Sequence, residues 1–122
     1  MCKLSATSLL KLEKVHPDLQ KIFKEAIKDT PIDFTITCGW RGEKEQNKAF
    51  EQGNSKLKFP QSKHNKMPAM AVDAVPYPKM WDASDSEWSL LSNHILATAK
   101  KLGIKLTWGG SWKFVDKPHY EL

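Results

Sequence analysis

Apolar residues recur at helical spacing from the beginning of the chain. Leu9, Leu10, Leu12, Val15, Leu19, Ile22, Phe23, Ala26 and Ile27 are mostly three and four positions apart, which predicts helix from about Ser5 to Lys28. His16-Pro17-Asp18 divides that stretch into a short helix and a longer one, because Pro17 suits a first-turn position and His16 a helix start. Asp29-Thr30-Pro31 ends it. The period then drops to two: Ile32 to Thr37 alternates apolar with polar and is rich in β-branched residues, so it predicts a strand. After a turn at Gly39, Glu43 to Gln52 reads as helix stopped by Gly53. Asn54 to Pro68 is irregular, with Pro60 and Pro68 as breakers. Ala69 to Val75 predicts a second strand, with Ala69, Ala71 and Asp73 on one face and Met70, Val72 and Ala74 on the other. Ser84 to Leu102 predicts a long helix carrying Trp88, Leu91, Ile95, Ala99 and Leu102 on one face and closed by Gly103. Ile104 to Trp108 and His119 to Leu122 predict short strands separated by a turn at Gly109-Gly110. The order of elements predicts an α+β fold: a single compact domain with a small antiparallel sheet and flanking helices.

Composition narrows the class. The chain has 122 residues, 40% of them hydrophobic, with five tryptophans. That length suits one domain, and folding it buries roughly two-thirds of the unfolded surface. A disordered tail is excluded by the apolar content. Apolar runs are only a few residues long, well short of the roughly 20 that span a bilayer, so no stable membrane insertion is expected. Met1-Cys2-Lys3-Leu4 carries no apolar signal region, so the expectation is synthesis in the cytoplasm without a signal peptide. Cys2 and Cys38 have no framework spacing and are expected to be free thiols.

Lys and Arg total 19 against 14 Asp and Glu, a balance of +5. A basic protein can meet nucleic acid, an anionic surface or an acidic substrate. Only one of these cations is an arginine, Arg41. Nucleic-acid readers use several guanidinium forks, so no nucleic-acid partner is expected. The scattered lysines read as solvated helix faces.

Two histidines stand in unusual contexts. His64 follows Ser62-Lys63 at the end of the irregular segment. Nine residues later Asp73 sits inside an apolar strand, where an unpaired carboxylate is costly and a metal ion is one sufficient explanation. His119 lies in a tail whose apolar neighbours, among them Tyr120, Leu122 and Trp112, predict packing. Two imidazoles and one carboxylate make a usual catalytic zinc set. Asp116, three residues before His119, is placed to serve as general acid or base. With no HExxH or paired-cysteine pattern, spacing alone leaves zinc one reading among others. His94 reads as a satisfied boundary histidine. No histidine–aspartate set is tied to Cys38, so a cysteine nucleophile is the poorer reading. Trp112 and Trp40 are the tryptophans expected to line a cleft.

Four stretches resemble the zinc D-Ala-D-Ala carboxypeptidase/dipeptidase family, and most closely its phage branch of L-alanyl-D-glutamate peptidases (endolysins). Thr37-Cys38-Gly39-Trp40-Arg41-Gly42 with Glu45-Gln46 is similar to the family's "SGYRS…EQ". Ser62-Lys63-His64, running on to Ala71-Val72-Asp73 and Val75-Pro76-Tyr77, is similar to "SxH…AxD…PY". Leu102-Gly103-Ile104 with Trp108-Gly109-Gly110-Ser111-Trp112 is similar to "LGI…WGGDW", and Asp116 to Leu122 resembles the C-terminal histidine motif. The order is right and the stretches run from about Thr37 to Leu122.

The resemblance implies a hedgehog/DD-peptidase-like fold. It implies His64, Asp73 and His119 as ligands of one zinc ion, Asp116 as the catalytic acid/base, and Arg41 as a catalytic residue that stabilises the oxyanion and holds substrate. Ser62 matches a substrate-contacting position, and Trp112 joins it as a substrate-binding candidate. Two departures stand out: His64 and Asp73 are two residues further apart than is commonest, which requires Asn65-Lys66-Met67-Pro68 to bulge, and Ser111 replaces an Asp. The function implied is hydrolysis of an amide bond in the peptidoglycan stem peptide, L-Ala–D-Glu first, by an endolysin that reaches the wall or periplasm after the host membrane is permeabilised. The alternatives are a D-Ala-D-Ala carboxypeptidase or dipeptidase, and a non-catalytic zinc-containing wall-binding module, which would have no need of Asp116. Residues 1–122 are expected to form one monomeric catalytic domain without a separate wall-binding domain.

Overall fold

The structure, a computed structural model, describes residues 2–122. Its first helix, α1 (Ala6–Leu12), starts at Ser5, whose hydroxyl accepts from the Ser8 amide at 3.1 Å. The second, α2 (Pro17–Ala26), has proline in its first turn, and His16 caps it through Nδ1, which accepts from the Asp18 amide at 3.0 Å. Strand β1 (Phe34–Cys38) and helix α3 (Glu43–Glu51) follow. Next come β2 (Ala71–Pro76), the long helix α4 (Asp85–Lys101), and the short strands β3 (Thr107–Trp108) and β4 (His119–Glu121). Ser84 and Glu87 form a capping box at the start of α4. Gly53 and Gly103 have φ of 77° and 75° just past α3 and α4, the left-handed stops that glycine permits.

The sheet is antiparallel with strand order β1-β2-β4-β3. Its apolar face and the stripes of α2 and α4 close one core. Leu19, Ile22, Phe23 and Ala26 of α2 meet Leu91, Ile95 and Ala99 of α4 and Ile36, Val72, Ala74 and Tyr120 of the sheet. Phe23 is the hinge of that core, edge-on to Phe34 at 6.2 Å and to Tyr120 at 5.7 Å. His94 is satisfied at the boundary, donating from Nε2 to the Ala26 carbonyl at 2.8 Å.

The helical stripes are narrower than the sequence predicts. Leu9 and Leu10 are exposed, and so is Leu102, which lies past the last turn of α4 rather than on its buried face. The bulge needed between His64 and Asp73 is present: Lys66, Met67 and Pro68 are exposed, and Ala69 returns to the core. Cys2 and Cys38 are free. Among the described residues no helix is long and apolar enough to cross a membrane.

Candidate active site and metal centre

Strand register assembles the site. In β2, Asp73 lies opposite Cys38 of β1 on one side and His119 of β4 on the other. Directly opposed residues hold their Cβ atoms about 5 Å apart, so three side chains from distant parts of the chain share one face. A register shift between Ile36 and Cys38 brings Cys38, rather than Thr37, opposite Asp73. Because β-strand side chains alternate, Val72 and Tyr120 point into the core while Asp73 and His119 point away from it.

His64 reaches the same place from a single turn of 3-10 helix, Lys63–Asn65. That turn is held by a capping box: the Ser62 hydroxyl accepts from the His64 amide at 3.2 Å, and the Asn65 carboxamide oxygen accepts from the Ser62 amide at 3.0 Å. Gly39 passes so close to α1 that a Cβ there would collide with the Lys11 carbonyl. Its own carbonyl accepts from His64 Nδ1 at 2.7 Å. That bond fixes the imidazole with Nε2 toward Asp73, whose Oδ1 is 3.2 Å away. His119 brings Nδ1 to 3.4 Å from the same oxygen, while its Nε2 donates to Glu121 at 2.8 Å.

This donor chemistry suits a divalent metal ion: each imidazole has one nitrogen committed to a fixed acceptor and the other facing a shared carboxylate. Proximity also groups Cys38 with His64 and Asp73, with one ligand atom of each within 4.8 Å of the others. Direction separates the two sets. Cys38 Sγ lies 3.6 Å from His64 Nδ1, the nitrogen already given to Gly39. The nitrogen left over faces Asp73 and the His119 side. Cys38 is therefore tied to a histidine–aspartate pair after all, contrary to the sequence expectation, because the register shift in β1 brings together residues that no local pattern connects.

With only protein charges present, the groups hold one another in ionised form. Burial opposes protonation of His64, but the Asp73 carboxylate outweighs it and lifts the pKa to about 10. His119 is raised in the same way against its own burial, by Asp73 and Glu121. Burial works against ionisation of Asp73 as well, yet the two imidazoles hold its carboxyl far below the usual range. Asp116 is shifted the other way, upward, first by burial and then by the Asp73 charge. A carboxylate with a raised pKa is suited to taking and returning a proton.

Asp116 approaches His119 Nδ1 to 3.9 Å. Its place depends on Gly109, whose carbonyl accepts from the Asp116 amide at 2.9 Å, and where a Cβ would strike the Asp116 carbonyl. Arg41 faces the opposite oxygen of Asp73, with an N···O distance of 3.7 Å. Its guanidinium donates to Gln46 Oε1 at 3.0 Å, and its backbone amide donates to the His64 carbonyl at 2.8 Å. Gln46 is fully buried in α3; it also accepts from Asn65 and donates to the Leu57 carbonyl and the Ser55 hydroxyl.

These groups open into a cavity of about 1050 Å³, lined further by Ser62, Trp112, Trp81, Phe114 and Lys56. The Trp112 ring centroid is 5.1 Å from that of His119. Ser62 touches the cavity but is nearly buried, with its hydroxyl in the cap. Trp40 faces elsewhere, into a separate groove with Leu10 and Lys14, and Trp81 lines the cleft in its stead. Ser111 closes its own turn, donating to the Trp108 carbonyl at 2.9 Å. Sequence reasoning assigned no role to Glu121 or to Gln46. Strand alternation places Glu121 on the face of His119, and Gln46 sits within the arginine motif, so both carried a signal.

Comparison with known proteins matches this arrangement to one family. The family model described as phage L-alanyl-D-glutamate peptidase matches residues 1–122. The L-alanyl-D-glutamate peptidase of Escherichia phage T5 is 32% identical over 123 residues, covering 98% of this chain and 88% of the relative. The peptidoglycan L-alanyl-D-glutamate endopeptidase CwlK of Bacillus subtilis is 31% identical, covering 88% of this chain and 73% of CwlK. Among solved structures, the Serratia marcescens L-Ala D-Glu endopeptidase ChiX superposes with a TM-score of 0.82 at 28% identity, covering 98% of this chain and 90% of ChiX. With the whole chain matched and the sheet, cleft and polar cluster in place, this protein belongs to the phage L-alanyl-D-glutamate peptidase family.

Proposed function

We infer that the chain hydrolyses the L-Ala–D-Glu bond of the peptidoglycan stem peptide, with one zinc ion held by His64, Asp73 and His119. The enzyme class follows from family membership. The observation that carries the metal assignment is the shared aim of His64 Nε2 and His119 Nδ1 at Asp73 Oδ1, with the other nitrogen of each ring already engaged. When bound, zinc supplies Lewis acidity, polarising a carbonyl and lowering the pKa of water toward about 7.

The chain's own groups supply the rest. Asp116 takes a proton from the attacking water and passes it to the leaving amine. Arg41, held by Gln46, balances charge on the scissile carbonyl oxygen and holds the substrate. Trp112, stacked near His119, forms a wall against which the peptide lies. Ser62 contributes mainly by capping the turn that carries His64. Residues 1–122 act as a monomeric catalytic domain around one core. Nucleic acid is not a partner. The biological setting is endolysis, with the enzyme acting on the wall or periplasm once the host membrane is permeabilised.

Purified protein incubated with a defined muropeptide, followed by mass spectrometry, tests the bond. A product bearing a new D-Glu N-terminus is expected. Release of D-Ala alone would replace this reading with a carboxypeptidase.

A further inference from the structure

His64 and His119 are oriented by different kinds of acceptor. For His64 the acceptor is the Gly39 backbone carbonyl, fixed by the fold. For His119 it is a side chain, Glu121, and that side chain is itself braced. Glu121 Oε1 accepts from His119 Nε2 at 2.8 Å, while Oε2 lies 2.9 Å from Lys63 Nζ. Lys63 also donates to the Leu122 carbonyl at 2.6 Å. Lys63 immediately precedes His64, so the brace joins the two elements that carry the imidazoles.

The sheet makes room for this contact. His119 and Glu121 are two apart in β4 and share a face. Opposite Glu121 in β2 stands the small, buried Ala71. The Glu121 side chain is 19% exposed, so water competes poorly for its oxygens.

We propose that Glu121, held by Lys63, is the positioning residue that selects which nitrogen of His119 faces the metal. A carboxylate paired with an ammonium is an acceptor only. The nitrogen it contacts must carry the hydrogen, so the proton a metal ion displaces is the one on Nδ1, whose lone pair then faces the position beside Asp73. Without Glu121 the ring is free to flip or change tautomer, and the site loses a preset donor. The inference rests on the metal reading given under the proposed function.

The test is zinc affinity, by competition with a chromophoric chelator, together with long-range proton–nitrogen NMR of the zinc-loaded protein. In the wild type, His119 is expected to be protonated at Nε2 with Nδ1 on the metal. Glu121→Ala should weaken zinc binding by about 10–100-fold, the usual cost of losing such an outer-shell partner. Glu121→Gln keeps an acceptor oxygen and should recover most of that loss. Lys63→Met leaves Glu121 unbraced and should weaken binding by roughly a third of that range on a logarithmic scale, whereas Lys66→Met, exposed in the bulge, should not change it. Lys63→Met also decides the matter if Glu121→Ala does not fold. Zinc affinity within about twofold of wild type for both Glu121→Ala and Lys63→Met, or a wild-type spectrum with the hydrogen on Nδ1, overturns the proposal while leaving the metal site standing. A wild type that takes up no zinc overturns the metal reading first, and this inference with it.

Discussion

Replacing Gln46 by Met probes how much of the site depends on one buried amide. Met matches the volume and removes every polar atom of the side chain. Four contacts go: the acceptor for Arg41 at 3.0 Å, the acceptor for Asn65 at 3.2 Å, and the donors to Leu57 at 2.6 Å and Ser55 at 2.9 Å. They are not equal. Leu57 keeps a second donor in Ser55, and Asn65 keeps its bonds to the Arg41 carbonyl and the Ser62 amide. The guanidinium bond is charge-assisted and partly buried, worth about 1.5–3 kcal/mol, and the neutral bonds, which water partly replaces, add about 1 kcal/mol together. The net loss is about 3 kcal/mol, or roughly 10 °C in Tm for a domain of this size. Arg41 would also lose the group that aims it, so kcat/KM should fall by at least about tenfold, a part of the 10²–10³ that loss of an oxyanion donor costs. Thermal unfolding of the zinc-loaded protein and muropeptide hydrolysis at a temperature where both proteins are folded measure the two effects. A Tm within about 2 °C of wild type, with unchanged kcat/KM, would refute the reasoning.

Other expectations follow from the same geometry. Asp116→Asn should lower kcat by about 10²–10⁴ while zinc affinity is retained, if Asp116 is the base proposed above and not a ligand; unchanged turnover sinks that role. Zinc affinity should rise with pH between about 5 and 8: in the metal-free protein Asp73 holds the His64 pKa near 10 against burial, so binding must displace that proton, worth about tenfold per pH unit, and the upward shift of His119 steepens the slope further. Affinity independent of pH over that range contradicts it. The Tyr120 hydroxyl is buried with no hydrogen-bond partner among the described residues, and burial pushes its pKa up. Tyr120→Phe should therefore leave stability unchanged or raise it by about 1 kcal/mol in denaturant titration, whereas a loss of that size would mean the hydroxyl is satisfied. Added salt should slow hydrolysis of whole walls more than hydrolysis of a small soluble peptide if the +5 balance attracts the enzyme to an anionic wall; equal sensitivity returns the lysines to solubility alone.

Legibility in the sequence followed the range of the interactions. Local signals held: Pro17 in the first turn of α2, the start of α4 at Ser84, the glycine stops after α3 and α4, and the 3.6-residue stripe of α2. Asp73 in an apolar strand and His119 in a packed tail were visible as residues that needed a reason. Their cross-strand pairing was not, since register is set by contacts 46 positions apart in the chain. The shift at Thr37 that places Cys38 beside Asp73 is likewise invisible to alternation, which treats every strand as regular. Trp40 illustrates the opposite failure. Its neighbour Arg41 lines the cleft, while Trp40 lies in the separate groove with Leu10 and Lys14, and adjacency in the motif does not tell the two apart. Leu10 and Leu102 fit a hydrophobic spacing but lie beyond the surface the core can cover.

On the proposed function, one metal ion held by His64, Asp73 and His119 supports hydrolysis of the L-Ala–D-Glu bond. Zinc added back in steps to chelator-stripped protein, with muropeptide cleavage followed at each step, tests it most directly. Cleavage should be absent at the start, rise in proportion to zinc and saturate at one equivalent per chain, and neither His64→Ala nor His119→Ala should be rescued. Full cleavage by the stripped protein, or rescue of both variants at the same zinc level, would contradict the account.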